Sequence, residues 1–101
     1  MEEIVEVKEE FIEGVTKSGF KYKINKRLAD DYDFVEKYND TAKTGIGMPD
    51  LIKYMIGDKE YESLKAYCRR KDGFLSLRRM QHEMEDIMNT KIDDNVDLKN
   101  S

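Results

Sequence analysis

The spacing of apolar positions changes along this chain, and the change marks its elements. Phe20, Tyr22 and Ile24 alternate with Lys21 and Lys23, a period of two that puts three apolar side chains on one face of a strand. Phe11–Thr16 is a second strand candidate, and Lys17-Ser18-Gly19 between them is a turn signal. Together they predict a hairpin over residues 10–24. An isolated hairpin is marginal in water, so its apolar face is expected to cover helices. Asn25–Ala29 is a connector of about one turn. Downstream, Asp30 or Asp31 can cap a helix over about 31–42, with Phe34, Val35, Tyr38 and Ala42 on one side. Pro49 suits the first turn of a helix over 49–56, whose apolar set is Leu51, Ile52 and Met55. Asp58 is expected to cap a helix over 59–70 that aligns Tyr61, Leu64 and Cys68, and Gly73 sits where a helix end wants a left-handed residue. Ser76 can cap a last helix over 77–89, on which Leu77, Met80, Met84, Ile87 and Met88 fall within an arc of about 100°. The expected fold class is α+β, an N-terminal β-hairpin packed on a bundle of about four short helices, in one domain over residues 10–89. Residues 1–9 are expected to be loose or to add a strand, and 90–101 to form a flexible tail.

Composition narrows the possibilities. The chain has 101 residues, with 40% charged and 39% apolar positions, enough for one modest core. It contains no apolar run of bilayer-spanning length and none like a signal peptide, so no membrane partner is expected. The single Cys68 cannot form an internal disulfide and fits a reducing compartment. A net charge of −4 argues against general nucleic-acid binding. The charge is uneven. Met1–Glu13 holds six glutamates against Lys8 alone, whereas Lys65–Arg79 holds Lys65, Arg69, Arg70, Lys71, Arg78 and Arg79 against Asp72 alone. Two readings stay open for the basic run: a solvated helix end complementing its dipole, or a docking patch for an acidic partner.

Catalytic chemistry has little to rest on. His82 is the only histidine, without the second and third ligands that a metal site on one face would need. Cys68 and His82 both fall mid-helix with no nucleophile signature around them. Gly45-Ile46-Gly47 lacks the third glycine and the Lys-Ser/Thr of a phosphate loop. No catalytic, cofactor or metal residue is therefore assigned. Two features point to binding. Met48, Met55, Met80, Met84 and Met88 suit a surface that repacks around varied apolar partners, although methionine also fills small cores. Residues 58–88 have a helix–turn–helix outline with Arg78 and Arg79 at the start of the second helix. That helix then turns acidic at Glu83, Glu85 and Asp86, against nucleic acid. The candidate partner-binding residues are Leu51, Met55, Met80, Met84 and Met88 as an apolar surface, and Arg69, Arg70 and Arg78 as a basic one.

The succession of segments resembles a known family. Ser18-Gly-Phe-Lys-Tyr-Lys-Ile24 is followed by Leu28-Ala-Asp-Asp-Tyr-Asp-Phe-Val35, Met48-Pro-Asp-Leu-Ile52, Ile56-Gly-Asp-Lys-Glu-Tyr-Glu-Ser-Leu-Lys65, Arg70-Lys-Asp-Gly-Phe-Leu-Ser76 and an amphipathic helix. In this order, from Ser18 to about Asn89, the chain resembles the small tail assembly chaperones of long-tailed bacteriophages of Gram-positive hosts. The resemblance implies a non-enzymatic protein of the infected host's cytoplasm. Such a protein coats the long, largely helical tape-measure protein until tail-tube subunits polymerise around it. The tube protein and self-association are further expected contacts. The loop Asp40–Gly47 is less acidic than the family pattern, and the Arg69–Lys71 and Arg78–Arg79 clusters are more basic. The alternatives are a phage-borne protein that binds and inhibits a host protein through its basic cluster, and, behind it, a nucleic-acid-binding helical module.

Overall fold

The computed structural model describes residues 10–90, so the expectations for residues 1–9 and 91–101 lie outside the described residues. In order, the elements are β1 (Phe11–Val15), β2 (Lys21–Asn25), a 3-10 turn (Lys26–Asp30), α1 (Tyr32–Thr44), α2 (Met48–Ile56), α3 (Asp58–Asp72) and α4 (Leu77–Met88). This is an α+β fold, a two-stranded antiparallel hairpin followed by four helices.

The hairpin pairs Phe11 with Asn25 at its open end and Val15 with Lys21 near its turn. The turn closes as Thr16 N–H donates to the Phe20 carbonyl and Gly19 N–H to the Thr16 carbonyl, both at 2.9 Å. Gly19 takes φ 105°, a conformation that strains any residue with a Cβ. The period of two in β2 is realised: Tyr22 and Ile24 are buried while Lys21 and Lys23 are exposed, and Phe20 joins the buried face just before the strand. β1 is covered less well. Ile12 and Gly14 are half-buried, and Phe11, Glu13 and Val15 face outward.

Asp31 starts α1. Its Oδ1 accepts from the Phe34 N–H at 3.2 Å, and its Oδ2 accepts from the Tyr54 hydroxyl at 2.7 Å. One carboxylate thus caps α1 and ties it to α2. The same hydrogen bond, helped by partial burial and the negative charge of Asp31, raises the Tyr54 phenol above its ordinary pKa. α1 runs to Thr44, past the expected end, and presents a narrower apolar side than its sequence suggests. Phe34 is buried, Val35 and Tyr38 are half-buried, and Ala42 is exposed. Asp58 does not cap α3 as expected. The cap position is Gly57, with no side-chain hydrogen bond, and Asp58 lies in the first turn, where its charge suits the positive helix end. α3 continues to Asp72, and Gly73 terminates it with φ 79° and an N–H bonded to the Arg69 carbonyl at 2.8 Å.

The core is drawn from every element except β1, whose Ile12 packs on its edge. Ile24, Phe34, Leu51, Ile52, Leu64, Cys68 and Ile87 are almost fully sealed. α2 is packed against β2, α1 and α3, and α4 against α3. Thr90, expected to open the tail, belongs to the fold. It is buried, its N–H reaches the Ile87 carbonyl at 3.1 Å, and its hydroxyl shares a 2.5 Å hydrogen bond with that of Tyr22.

Gly14 passes directly over the Tyr22 ring, and a Cβ added there would overlap the ring. Gly14→Ala is therefore expected to lower the unfolding free energy by about 1–3 kcal/mol in urea titrations. Glu13→Ala, on the outward face of the same strand, should change it by less than about 0.5 kcal/mol.

Candidate functional site

The residues expected to face a partner divide into two groups. Leu51, Met55, Met80 and Met88 are all buried, at 1%, 3%, 5% and 3% exposure, so the expectation that they form an adaptable apolar surface is corrected. The reason is size. Four short helices and a hairpin enclose a small, irregular core, and the unbranched methionines fill it. Met84 is the half-buried exception. With Tyr38, Glu85 and Met88 it lines a hollow of about 130 Å³. Arg69, Arg70 and Arg78 are exposed at the end of α3 and the start of α4, as a basic surface requires.

The α3–α4 connection is built by three devices. Gly73 turns the chain out of α3. Ser76 caps α4, its Oγ accepting from the Arg79 N–H at 3.2 Å. Leu75, the residue before the cap, packs onto the core, as the apolar residue at that position of a helix entry does. Across the turn Arg79 grips Asp72 with a fork, Nε donating to Oδ2 at 2.5 Å and Nη2 to Oδ1 at 3.0 Å. The paired guanidinium holds the Asp72 carboxyl below its ordinary pKa, and Asp72 in turn raises that of Arg79.

Two large apolar side chains stay outside this arrangement. Phe74 is 65% exposed and Leu77 64%. With Ser76, Arg78 and Gln81 they line a groove of about 510 Å³. A second groove of about 410 Å³ shares Phe74, Ser76 and Arg78 and extends to Asp72, Arg79 and His82. Leu77 shares the apolar stripe of α4, but the core ends a turn before it. Phe74 is not among the residues expected to bind a partner. The available signal was that a helix entry needs one apolar residue before its cap, which Leu75 supplies, leaving Phe74 without a structural task.

The electrostatics of this end are distinctive. Arg69, Arg70 and Lys71 close α3, where cations complement the negative helix end. Arg78 lies in the first turn of α4, where the helix dipole opposes a cation. Among the described residues, Arg69, Arg70 and Arg78 make no side-chain hydrogen bond or ion pair, because Asp72 is taken by Arg79.

A polar seam elsewhere is not marked by any motif in the sequence. Glu83 is buried at 2% exposure. Its Oε1 accepts from the Ser18 hydroxyl, the Ser18 carbonyl accepts from the Tyr67 hydroxyl, and Asp86 Oδ2 accepts from the Lys17 N–H at 2.9 Å. Glu83 Oε2 has no hydrogen-bond partner among the described residues. The seam fastens the hairpin turn to α3 and α4. Cys68 lies near it in the core, and burial, reinforced by the Glu83 carboxylate, pushes its thiol up to about 11. That keeps the thiol protonated at neutral pH, opposite to the shift a nucleophilic cysteine needs. His82 is exposed. Among the described residues no group of three metal-ligating side chains comes together, and no helix is long and apolar enough to cross a membrane.

Comparison of the chain with protein families, with curated proteins and with solved structures gives no match.

Two measurements check these environments. In an NMR pH titration, Asp72 is expected to titrate below the ordinary value of 3.8 and to move back towards it in Arg79→Ala. The pair's contribution to stability is present above the ordinary carboxylate range and is lost as pH falls through the lowered value. For Cys68, the folded thiol keeps its proton between 9.0 and about 11, where the unfolded thiol has lost it. Stability should therefore fall as pH rises through that window, and the fall should be smaller in Cys68→Ala.

Proposed function

We propose that this protein is a tail assembly chaperone of a long-tailed bacteriophage, acting in the host cytoplasm to hold the tape-measure protein in solution until tail-tube subunits replace it. The observation that carries the reading is the joint exposure of Phe74 and Leu77 on one groove. Large apolar side chains left side by side in water mark a surface meant to be covered. The succession of segments that resembles the tail chaperones supports the same reading. A tape-measure rod presents long apolar stripes that aggregate when bare. Many small proteins, each covering a short length of one rod, hold it by avidity without any tight single contact. Release then needs only competition from the tube protein.

A second reading is favoured by the unpaired Arg69, Arg70 and Arg78. In that reading, the protein inhibits a host protein by docking on an acidic surface. Its binding would collapse with salt and would not depend on Phe74 and Leu77.

Co-expression with tape-measure fragments separates the two. The chaperone reading expects the fragments to become soluble and to co-elute with this protein, and expects Phe74→Asp combined with Leu77→Asp to abolish both effects. Both residues are exposed, so the double variant should stay within about 1 kcal/mol of the parent in urea unfolding. Fragments that remain insoluble beside the parent protein would rule the reading out.

A further inference from the structure

We propose that the Phe74–Leu77 groove takes an amphipathic helical segment whose apolar pair is flanked by carboxylates, the apolar pair seating between Phe74 and Leu77 and the carboxylates meeting Arg78 and the arginines that end α3. This rests on the chaperone reading only for which protein supplies the segment.

Three observations select that chemistry. The first is shape. Phe74 and Leu77 line one groove beside the start of a helix, the arrangement in which a partner helix lays down anchors three or four residues apart. The second is charge. Once the Asp72–Arg79 pair cancels, Arg69, Arg70, Lys71 and Arg78 leave four positive charges at this end of a chain whose net charge is −4. An acidic segment is drawn to this end by those four charges. A basic segment would be repelled here and drawn elsewhere. The third is the placing of Arg78. It lines both grooves, it has no partner among the described residues, and the dipole of α4 opposes it. Folding gives no reason for a cation there, whereas an incoming carboxylate does.

The occupant must be distinguished from the chain itself. Met1–Glu10 carries Ile4, Val5 and Val7 among glutamates, which is related chemistry, and a second copy would bring the same segment. The experiment therefore uses the full chain and a chain lacking residues 1–9, with two synthetic helical peptides as probes. Both peptides carry the same pair of leucines four residues apart. One has glutamates flanking the pair and the other has lysines.

Fluorescence anisotropy is expected to show the glutamate peptide binding at least roughly tenfold more tightly than the lysine peptide, and weakening by a similar factor between low and moderate salt. Backbone amide shifts should cluster on residues 73–79. Arg78→Glu should markedly reduce the preference for the glutamate peptide, and since a carboxylate suits the first turn of a helix, that variant keeps its fold. Phe74→Ser with Leu77→Ser should abolish binding of both peptides.

Equal affinity for the two peptides, or an unchanged preference in Arg78→Glu, overturns the proposal. It is also overturned if the glutamate peptide binds only after residues 1–9 are removed, which makes the occupant the chain's own segment. Concentration-dependent shifts at Phe74 and Leu77 without peptide make the occupant a second copy, and overturn it equally. The chaperone reading fails separately. If tape-measure fragments stay insoluble while the glutamate peptide binds as described, the groove assignment stands and the chaperone reading falls. If the fragments are held equally well by Arg78→Glu and by the Phe74–Leu77 double variant, the groove assignment falls.

Discussion

A helix of nine residues cannot persist alone in water, and α2 is one. It survives because Leu51, Ile52, Met55 and Ile56 are all removed from solvent at once, against β2, α1 and α3. The dependence is mutual. The hairpin is equally marginal by itself, and its inner residues Phe20, Tyr22 and Ile24 find cover only where the helices meet. Each element thus supplies the apolar wall that another lacks. The fold is stable as a set or not at all, and this constraint takes up the apolar residues of β2 and of the inner faces of the helices.

Polar contacts then decide how the set is oriented. The turn of the hairpin meets α4 through Ser18 with Glu83 and the Lys17 N–H with Asp86, and the strand meets the end of the described chain through Tyr22 with Thr90. These pairs join residues 65 to 69 positions apart. An apolar interface alone tolerates sliding, whereas a buried carboxylate with one donor fixes a single register. Glu83 is costly in this position, since one of its oxygens lacks a hydrogen-bond partner among the described residues. Asp31 plays the same role at the other side, where one carboxylate serves both the start of α1 and the hydroxyl of Tyr54.

Exposed apolar side chains also occur at Tyr32 and Ile46, but the α3–α4 turn gathers two of them beside a cation that folding does not require. Gly73, Leu75, Ser76 and the Asp72–Arg79 fork suffice to build it. Phe74, Leu77 and Arg78 contribute nothing to that construction, and the last is unfavourable where it sits. Residues that are structurally idle or adverse, gathered on one surface, are where an interaction is best sought. The methionines offered a more obvious signal and were the weaker one. Flexible, unbranched side chains fill gaps in a small irregular core as readily as they line a binding surface.

Local pattern determined a good deal. The alternation of Phe20 to Ile24 marked the hairpin. The caps at Asp30 or Asp31 and at Ser76, the left-handed Gly73 and the stripe of Tyr61, Leu64 and Cys68 marked three of the helices. Each of these depends on residues within a few positions, so the sequence contains the whole cause. Tertiary structure decided which stripes were fully used. Leu77 and Met80 lie on one stripe of α4, yet only Met80 is covered, and Leu77 is left 64% exposed. Glu83 sits between Met80 and Ile87 and is buried with them, because the turn of a hairpin 65 positions earlier in the chain brings it a donor. Periodicity tells which side of a helix faces inward. Only the packed neighbours, with their finite lengths and donors, determine how far the inside extends and which polar group it can admit.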